Sequence, residues 1–303
     1  MMHSSTTLWA IDPFADKRTQ LKVAQHLKEW VRHSHTIIDP TSVLNPGQLQ
    51  IHANKTEALA KFKMASQKAL EKITQGTKLP NLEEPSFVFC DQYSQRKSVE
   101  TFLAFAREQK AEMIALGTHA RTGMKRWLLG SFAEALILQS TIPLLIINPK
   151  SPLPKKIKTV LFPTDLSEAS ENGLNKLLPH LKRLKAKIIF FHKMDYVLPE
   201  TYSMIYHSDL YEKYLKEDED LRLTTLKKWK NRTQALGVDA EIIFDDKPNF
   251  IPESIIKAAK KHKVQLIALV SHTSPTSAAL LGSISRQVVR NAECPVWSWH
   301  TSE

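Results

Sequence analysis

The sequence predicts an α/β protein built from two successive halves, each a parallel sheet of five strands with helices on both faces. Three observations carry that prediction. Short apolar runs alternate with longer segments whose apolar residues recur near a 3.6-residue period. The alternation occurs once before and once after a proline-rich stretch, Asn148 to Pro154. One strand–loop–helix unit also appears in both halves: Met113 to Leu116, breaking at Gly117 and resuming at Gly130-Ser131, and Leu266 to Val270, resuming at Gly282-Ser283. A repeat at this scale sets the domain plan, 1–150 and 155–303.

In the first half, Thr7 to Asp12 reads as a short buried strand ending in an acid. Lys17 to Val31 carries apolar residues at Leu21, Val23, Ala24, Leu27 and Val31, a helical period. His35 to Ile38 is a strand that Asp39-Pro40 is expected to stop, and Asn45-Pro46-Gly47 marks a loop. Asn54 to Thr74 is a long helix, Ser86 to Cys90 a strand entered through Pro85, and Ser94 to Gln109 a helix with Val99, Phe102, Leu103 and Ala106 inward. The repeated unit follows, with a helix to about Gln139 and a last strand, Pro143 to Ile147. Three prolines in Asn148 to Pro154 stiffen the linker.

The second half repeats this order. Ile157 to Pro163 is a strand, and Ser167 is placed as the N-cap of a helix running to Lys185. Ile188 to His192 is the next strand. Tyr196 to Tyr214 is rich in tyrosine, and the helix it enters closes at Gly237. Ala240 to Phe244, Ile251 to His262, Leu266 to Val270, Ser283 to Asn291 and Pro295 to Trp299 complete the alternation as strand, helix, strand, helix and strand.

With 303 residues the chain is long enough for two ordinary cores, and no run of 18 or more apolar residues spans a membrane. The N-terminus lacks the order of a secretion signal. Cys90 and Cys294 lie one per half in or beside strands, as inert thiols of a reducing cytoplasm do. Net charge is +11, from 42 Lys and Arg against 31 Asp and Glu. Lysines such as Lys61, Lys63, Lys68 and Lys72 coat a helix and account for much of it. No RNA motif, zinc spacing or basic zipper is present, so nucleic acid is not the expected partner.

A strand feeding a glycine turn and then a helix is the arrangement that holds phosphate, because bare backbone N–H groups face the anion. Here the spacing is Gly117, two residues, Ala120, nine residues, Gly130-Ser131. It resembles the nucleotide-binding signature of the universal stress protein family, with Ala120 in place of the second glycine. Thr159 to Ser170 resembles the opening strand and loop of a domain of that family, and the resemblance extends over nearly the whole chain as two tandem domains. It implies two doubly wound, Rossmann-like domains of the adenine nucleotide alpha hydrolase type, packed as a pseudo-dimer through their last strands. Leu144 to Ile147 and Val296 to Trp299 would pair in that way.

The resemblance implies a cofactor site. The acid ending the first strand, Asp12 or Asp165, faces the nucleoside. Leu116-Gly117 and Gly130-Ser131-Phe132 hold phosphate by backbone and hydroxyl, and Ala120 and Arg121 complete the loop. Read without it, Asp165 is equally a cap for a turn or helix, and Gly117 a strand-ending glycine. If the second position needs a positive φ, Ala120 costs on the order of 1 kcal/mol there. Lys125 and Arg126 reach either solvent or outer phosphates, and Trp127 packs. Between Val270 and Ser285 there is no charged residue, so the second loop is not expected to hold a triphosphate. His119 and His272 share one position but have no ligand-spaced partner, so neither a metal nor a catalytic role is expected.

No nucleophile elbow, Walker lysine or paired-acid signature occurs. The expected function is that of a cytoplasmic, non-enzymatic stress-response regulator. It binds ATP weakly in the first domain, with Mg²⁺ if bound, and acts on regulatory protein partners; a homodimer is left open. The alternative is a stress adaptor that binds no nucleotide.

Overall fold

A computed structural model describes residues 5–45, 55–90, 92, 94–118, 131–148, 151–153, 156–194, 209–247, 249–273 and 283–302. The chain divides into two compact units, Met1–Lys156 with Ser271–Glu303, and Ile157–Val270.

The first unit opens with β1 (Thr6–Ala10), α1 (Lys17–Trp30), β2 (Ile37–Leu44), α2 (Lys55–Thr74) and β3 (Ser86–Phe89). It continues with α3 (Gln95–Glu108), β4 (Ala111–Gly117), α4 (Ser131–Gln139) and β5 (Leu144–Ile147). The strands lie in the order β3-β2-β1-β4-β5, all parallel. Strand order therefore reverses between β1 and β4, which leaves a crevice at their carboxyl ends.

The second unit holds β6 (Thr159–Pro163), α5 (Glu168–Leu184), β7 (Lys187–Lys193), α6 (Asp209–Ala235), β8 (Ala240–Asp245), α7 (Ile251–Lys261) and most of β9 (Leu266–Thr273). Its order, β9-β6-β7-β8, is again parallel. Phe190 meets Phe162 and Trp229 edge to face, with centroids 6.1 and 6.0 Å apart, at the centre of its core. Ser167 caps α5 as expected, its Oγ accepting from Ser170 N at 3.2 Å. Gly237 follows α6 with φ +83°, a left-handed conformation that favours glycine.

After β9 the chain forms α8 (Ser283–Asn291) and β10 (Val296–Ser302), which belong with the first unit. β10 pairs antiparallel with β5, Val296 opposite Ile146 and Ser298 opposite Leu144. The last strands of the two halves thus pair. Around that seam Asn148 Nδ2 donates to Ala292 O at 3.4 Å and Trp299 Nε1 to Thr141 O at 3.1 Å. On the adjoining helices, Arg290 and Arg286 of α8 meet Glu134 of α4 at 3.3 and 3.8 Å.

One boundary differs from expectation. β2 does not stop at Asp39-Pro40; it runs through Pro40 to Leu44. Ile38 N donates to Asn81 O, and Leu44 O accepts from Cys90 N, both on the β3 side of the strand. Pro40 has the same parity, so its missing N–H also faces that side. The gap falls between the Ile38–Leu82 bridge and Thr41↔Ser86, where pairing with β3 resumes. A proline is tolerated in a strand where no partner is waiting for its N–H.

Candidate functional site

The site is built at the reversal of strand order. β1 and β4 are buried on both faces, so their ends are fixed by the core: Leu8, Trp9, Ile114 and Ala115 are fully buried. α1 begins where Asp16 Oδ2 accepts from Thr19 N at 3.1 Å, an N-cap that sets how α1 leaves the sheet. The ends of β1, β2 and β4 and the starts of α3 and α4 surround a cavity of about 610 Å³.

Five of the residues expected at a nucleotide site line this cavity: Asp12, Leu116, Gly117, Ser131 and Phe132. Ser131 is the first residue of α4, so the amino end of that helix opens onto it. Ala120, Arg121 and Gly130 lie outside the described residues, as do His119, Lys125, Arg126 and Trp127. Asp165 lies in the second unit and is not brought to this cavity.

Asp12 is exposed at the rim, and its Oδ1 accepts from Phe14 N at 2.9 Å, closing a turn at the end of β1. Gly117 has a packing reason to be glycine. A Cβ there would stand 2.8 Å from Val23 Cγ2 on α1. Its φ is not left-handed, so close approach of helix to strand, and not backbone freedom, demands the small residue.

The remaining lining escaped the sequence reading. Thr41 and Ser42 come from the part of β2 beyond Pro40, Asn45 directly follows its end, and Gln20, Ser98 and Phe102 are inward-facing helix residues. Asn45 is held in place, its Nδ2 donating to Gln92 O at 2.8 Å and Ser98 Oγ at 3.2 Å. Gln20 is 2% exposed and its Oε1 has no hydrogen-bond partner. Among the described lining residues Asp12 carries the one formal charge; amides, hydroxyls, four phenylalanines and aliphatic residues such as Ile11, Val43 and Leu116 supply the rest. The available signal was polar residues such as Gln20 and Ser98 on faces that should be apolar.

The matching loop of the second unit is closed on itself. Asp165 Oδ1 accepts from Ser167 N at 3.0 Å and from the hydroxyls of Ser167 and Ser170 at 2.7 Å each. The capping reading of Asp165 is therefore the arrangement seen. At the end of β7, His192 is 2% exposed. Its Nδ1 lies 2.8 Å from Thr164 O, and Arg222 Nη1 lies 3.2 Å from its Nε2. A guanidinium only donates, so Nε2 accepts and Nδ1 carries the proton. Burial, reinforced by the Arg222 charge, lowers the His192 pKa below the usual imidazole value. Arg222 is steadied in turn by Asp218 at 2.7 Å.

The model of the universal stress protein family matches residues 6–148 and again 156–298. The chain belongs to the universal stress protein family. A universal stress protein of Methanocaldococcus jannaschii is 43% identical over 44 residues, 14% of this chain and 26% of the relative. The match thus spans about a quarter of that relative. The crystal structure of a universal stress protein from Archaeoglobus fulgidus superposes with a TM-score of 0.69 at 15% identity, covering 99% of both chains. A protein of unknown function from Pseudomonas aeruginosa superposes at 0.57 with 13% identity, covering 98% of this chain and 93% of its own. At those identities the likeness concerns the fold.

As a tandem universal stress protein, the chain presents an open cavity in its first unit and a self-satisfied strand-one loop in its second. Among the described residues no cluster of three His, Cys, Asp or Glu is placed to hold a metal. No described helix is long and apolar enough to cross a membrane. Cys90 is buried and Cys294 half-buried, and neither forms a disulfide.

Proposed function

We propose that this universal stress protein binds a nucleotide, ATP in the first instance, in the cavity of its first unit and serves as a non-enzymatic regulator of the stress response. One observation carries the reading: Asp12, Gly117 and Ser131, drawn from three separate elements, converge on one cavity of about 610 Å³. That volume suits a ligand of nucleotide size.

The residues fit the ligand by the character of their groups. Asp12 would accept from ribose hydroxyls. The hydroxyl of Ser131 and the unpaired N–H groups opening α4 would donate to phosphate, where the helix dipole favours negative charge. Thr41, Ser42 and Asn45 would meet the polar edge of the nucleoside. Arg121, with Lys125 and Arg126, belongs to the same proposal as the source of positive charge, and Ala120 as the reason affinity is weak. A bound Mg²⁺ would accompany the phosphates.

Ligand binding would act by shifting the population of loop conformations between Gly117 and Gly130, and so alter which cytoplasmic protein partners the surface accepts. The second unit contributes no nucleotide site in this reading, because Asp165 is already engaged by Ser167 and Ser170, and His192 by Thr164 O.

Calorimetric titration with ATP and Mg²⁺ tests the proposal, using wild type, Gly130→Asp and Ala120→Gly. Saturable binding that Gly130→Asp abolishes and Ala120→Gly tightens is the expected result. No heat at millimolar ATP in any of the three would leave the alternative, an adaptor that works through its surface alone. Asp12 favours that alternative to one degree: its Oδ1 is already engaged by Phe14 N.

A further inference from the structure

Two aromatic pairs stand on the cavity wall, and they differ in kind. Phe102 and Phe132 meet edge to face at 5.8 Å and 81°. Phe102 is fully buried, so this pair is an extension of the core into the wall. Phe14 and Phe62 are stacked instead, with centroids 5.5 Å apart and planes 25° from parallel. Phe14 is 59% exposed. A phenyl ring covered on one face and still this exposed presents its other face to solvent.

Phe14 is held in that pose. It sits in the turn closed by Asp12 Oδ1, and Ala15 N donates to Asp12 O at 3.2 Å across the same turn. Phe62 projects from the middle of α2, a helix of 20 residues. Neither ring is needed to complete a core, and both line the cavity. Exposed aromatic area at the wall of a ligand-sized cavity is how proteins hold flat rings, because any planar π-face can join the stack.

We infer that the Phe14–Phe62 pair is the specificity element of the site: it takes the planar heteroaromatic ring of a nucleoside as a third layer of the stack. The inference rests on the nucleotide reading and deepens it, placing recognition of the base on two residues outside the phosphate-binding motif. Asp12 joins the two parts. The same carboxylate that would meet the ribose fixes the turn carrying Phe14, so sugar and base are read by one rigid segment.

The test uses the full chain and three probes: 2-aminopurine riboside, whose fluorescence is quenched on stacking, ATP with Mg²⁺, and inorganic tripolyphosphate, which has no ring. The variants are Phe14→Leu and Phe62→Leu, which keep apolar bulk and remove the π-face. Each is expected to weaken the riboside and ATP by about 3- to 10-fold, to relieve the quenching, and to leave tripolyphosphate unchanged. ATP binding that persists unaltered in both variants overturns the inference while the nucleotide reading stands. A wild type that binds none of the ring-bearing probes overturns both. Equal weakening of tripolyphosphate would show that the variants disturb the cavity at large, and also overturns the stacking role.

Discussion

Val270 of β9 fills the space that a side chain at position 173 would occupy. A Cβ built on Gly173 would lie 2.1 Å from Val270 Cγ2 and 3.1 Å from its Cγ1. In the first unit the bulk sits on the other partner: Gly117 ends β4 and Val23 of α1 leans over it. The two units solve the same helix-on-strand contact with valine and glycine exchanged. The exchange matters for ligand access, since the glycine side leaves backbone within reach and the valine side covers it.

Gly173→Ala is expected to destabilise the protein by about 2 kcal/mol, the overpacking cost outweighing the roughly 1 kcal/mol of helix propensity gained. In a Val270→Ala background the same change should become neutral or stabilising. Urea unfolding of the four proteins gives the coupling directly. Equal effects of Gly173→Ala in both backgrounds would refute the contact.

Gly117→Ala should cost about 1 kcal/mol, less than at position 173, because the encroached atom is a methyl at 2.8 Å. Val23→Ala should relieve it. A large loss that Val23→Ala fails to relieve would point to a demand on the backbone at Gly117, contrary to its φ.

His26 on α1 is 2% exposed, and burial, with the nearby Lys22 charge, holds its pKa at about 4. Its folded value lies below the ordinary 6.5, so the folded state binds the proton less tightly than the unfolded chain. The associated stability is present above 6.5 and is lost as pH falls toward about 4. The amount is on the order of 3 kcal/mol at most. His26→Leu should flatten the stability–pH profile across that window, as read by urea midpoints; an unchanged slope would remove His26 as its cause.

Asp39 behaves in the opposite sense. It is 4% exposed within β2, Ser86 Oγ donates to its Oδ2 at 3.1 Å, and its Oδ1 has no partner. Burial raises its pKa against the opposing bond from Ser86. The folded state therefore favours the protonated acid. Its stabilisation is present at low pH and is lost as pH rises through the raised value. Asp39→Asn should stabilise the protein at neutral pH by on the order of 1 kcal/mol and have little effect in acid. A loss of stability at neutral pH would contradict this.

Much of the fold was legible because strand and helix periods differ and repeat. Ser167 as a cap and Gly237 as a helix stop were readable from local chemistry, and both are seen in those roles. β2 was not legible past Pro40, since a proline signal says nothing of which edge its nitrogen will face. That one boundary concealed Thr41 and Ser42, and with them part of the cavity wall. Gly117 was legible as a strand-ending glycine, yet the contact that keeps it small is with Val23, a partner far off in sequence. Asp165 had two readings, and the contacts seen are those of the local one, with two serine hydroxyls within its reach.

The β5–β10 pairing sets an order of events during synthesis. Leu144 to Ile147 are made early, but the strand that covers their edge emerges only after the whole second unit; Asn148 and its partner Ala292 are 144 residues apart. Through that interval a fully apolar edge waits beside the ribosome, the situation in which strands pair with the wrong chain. A nascent chain arrested short of β10 would carry β5 with its edge uncapped.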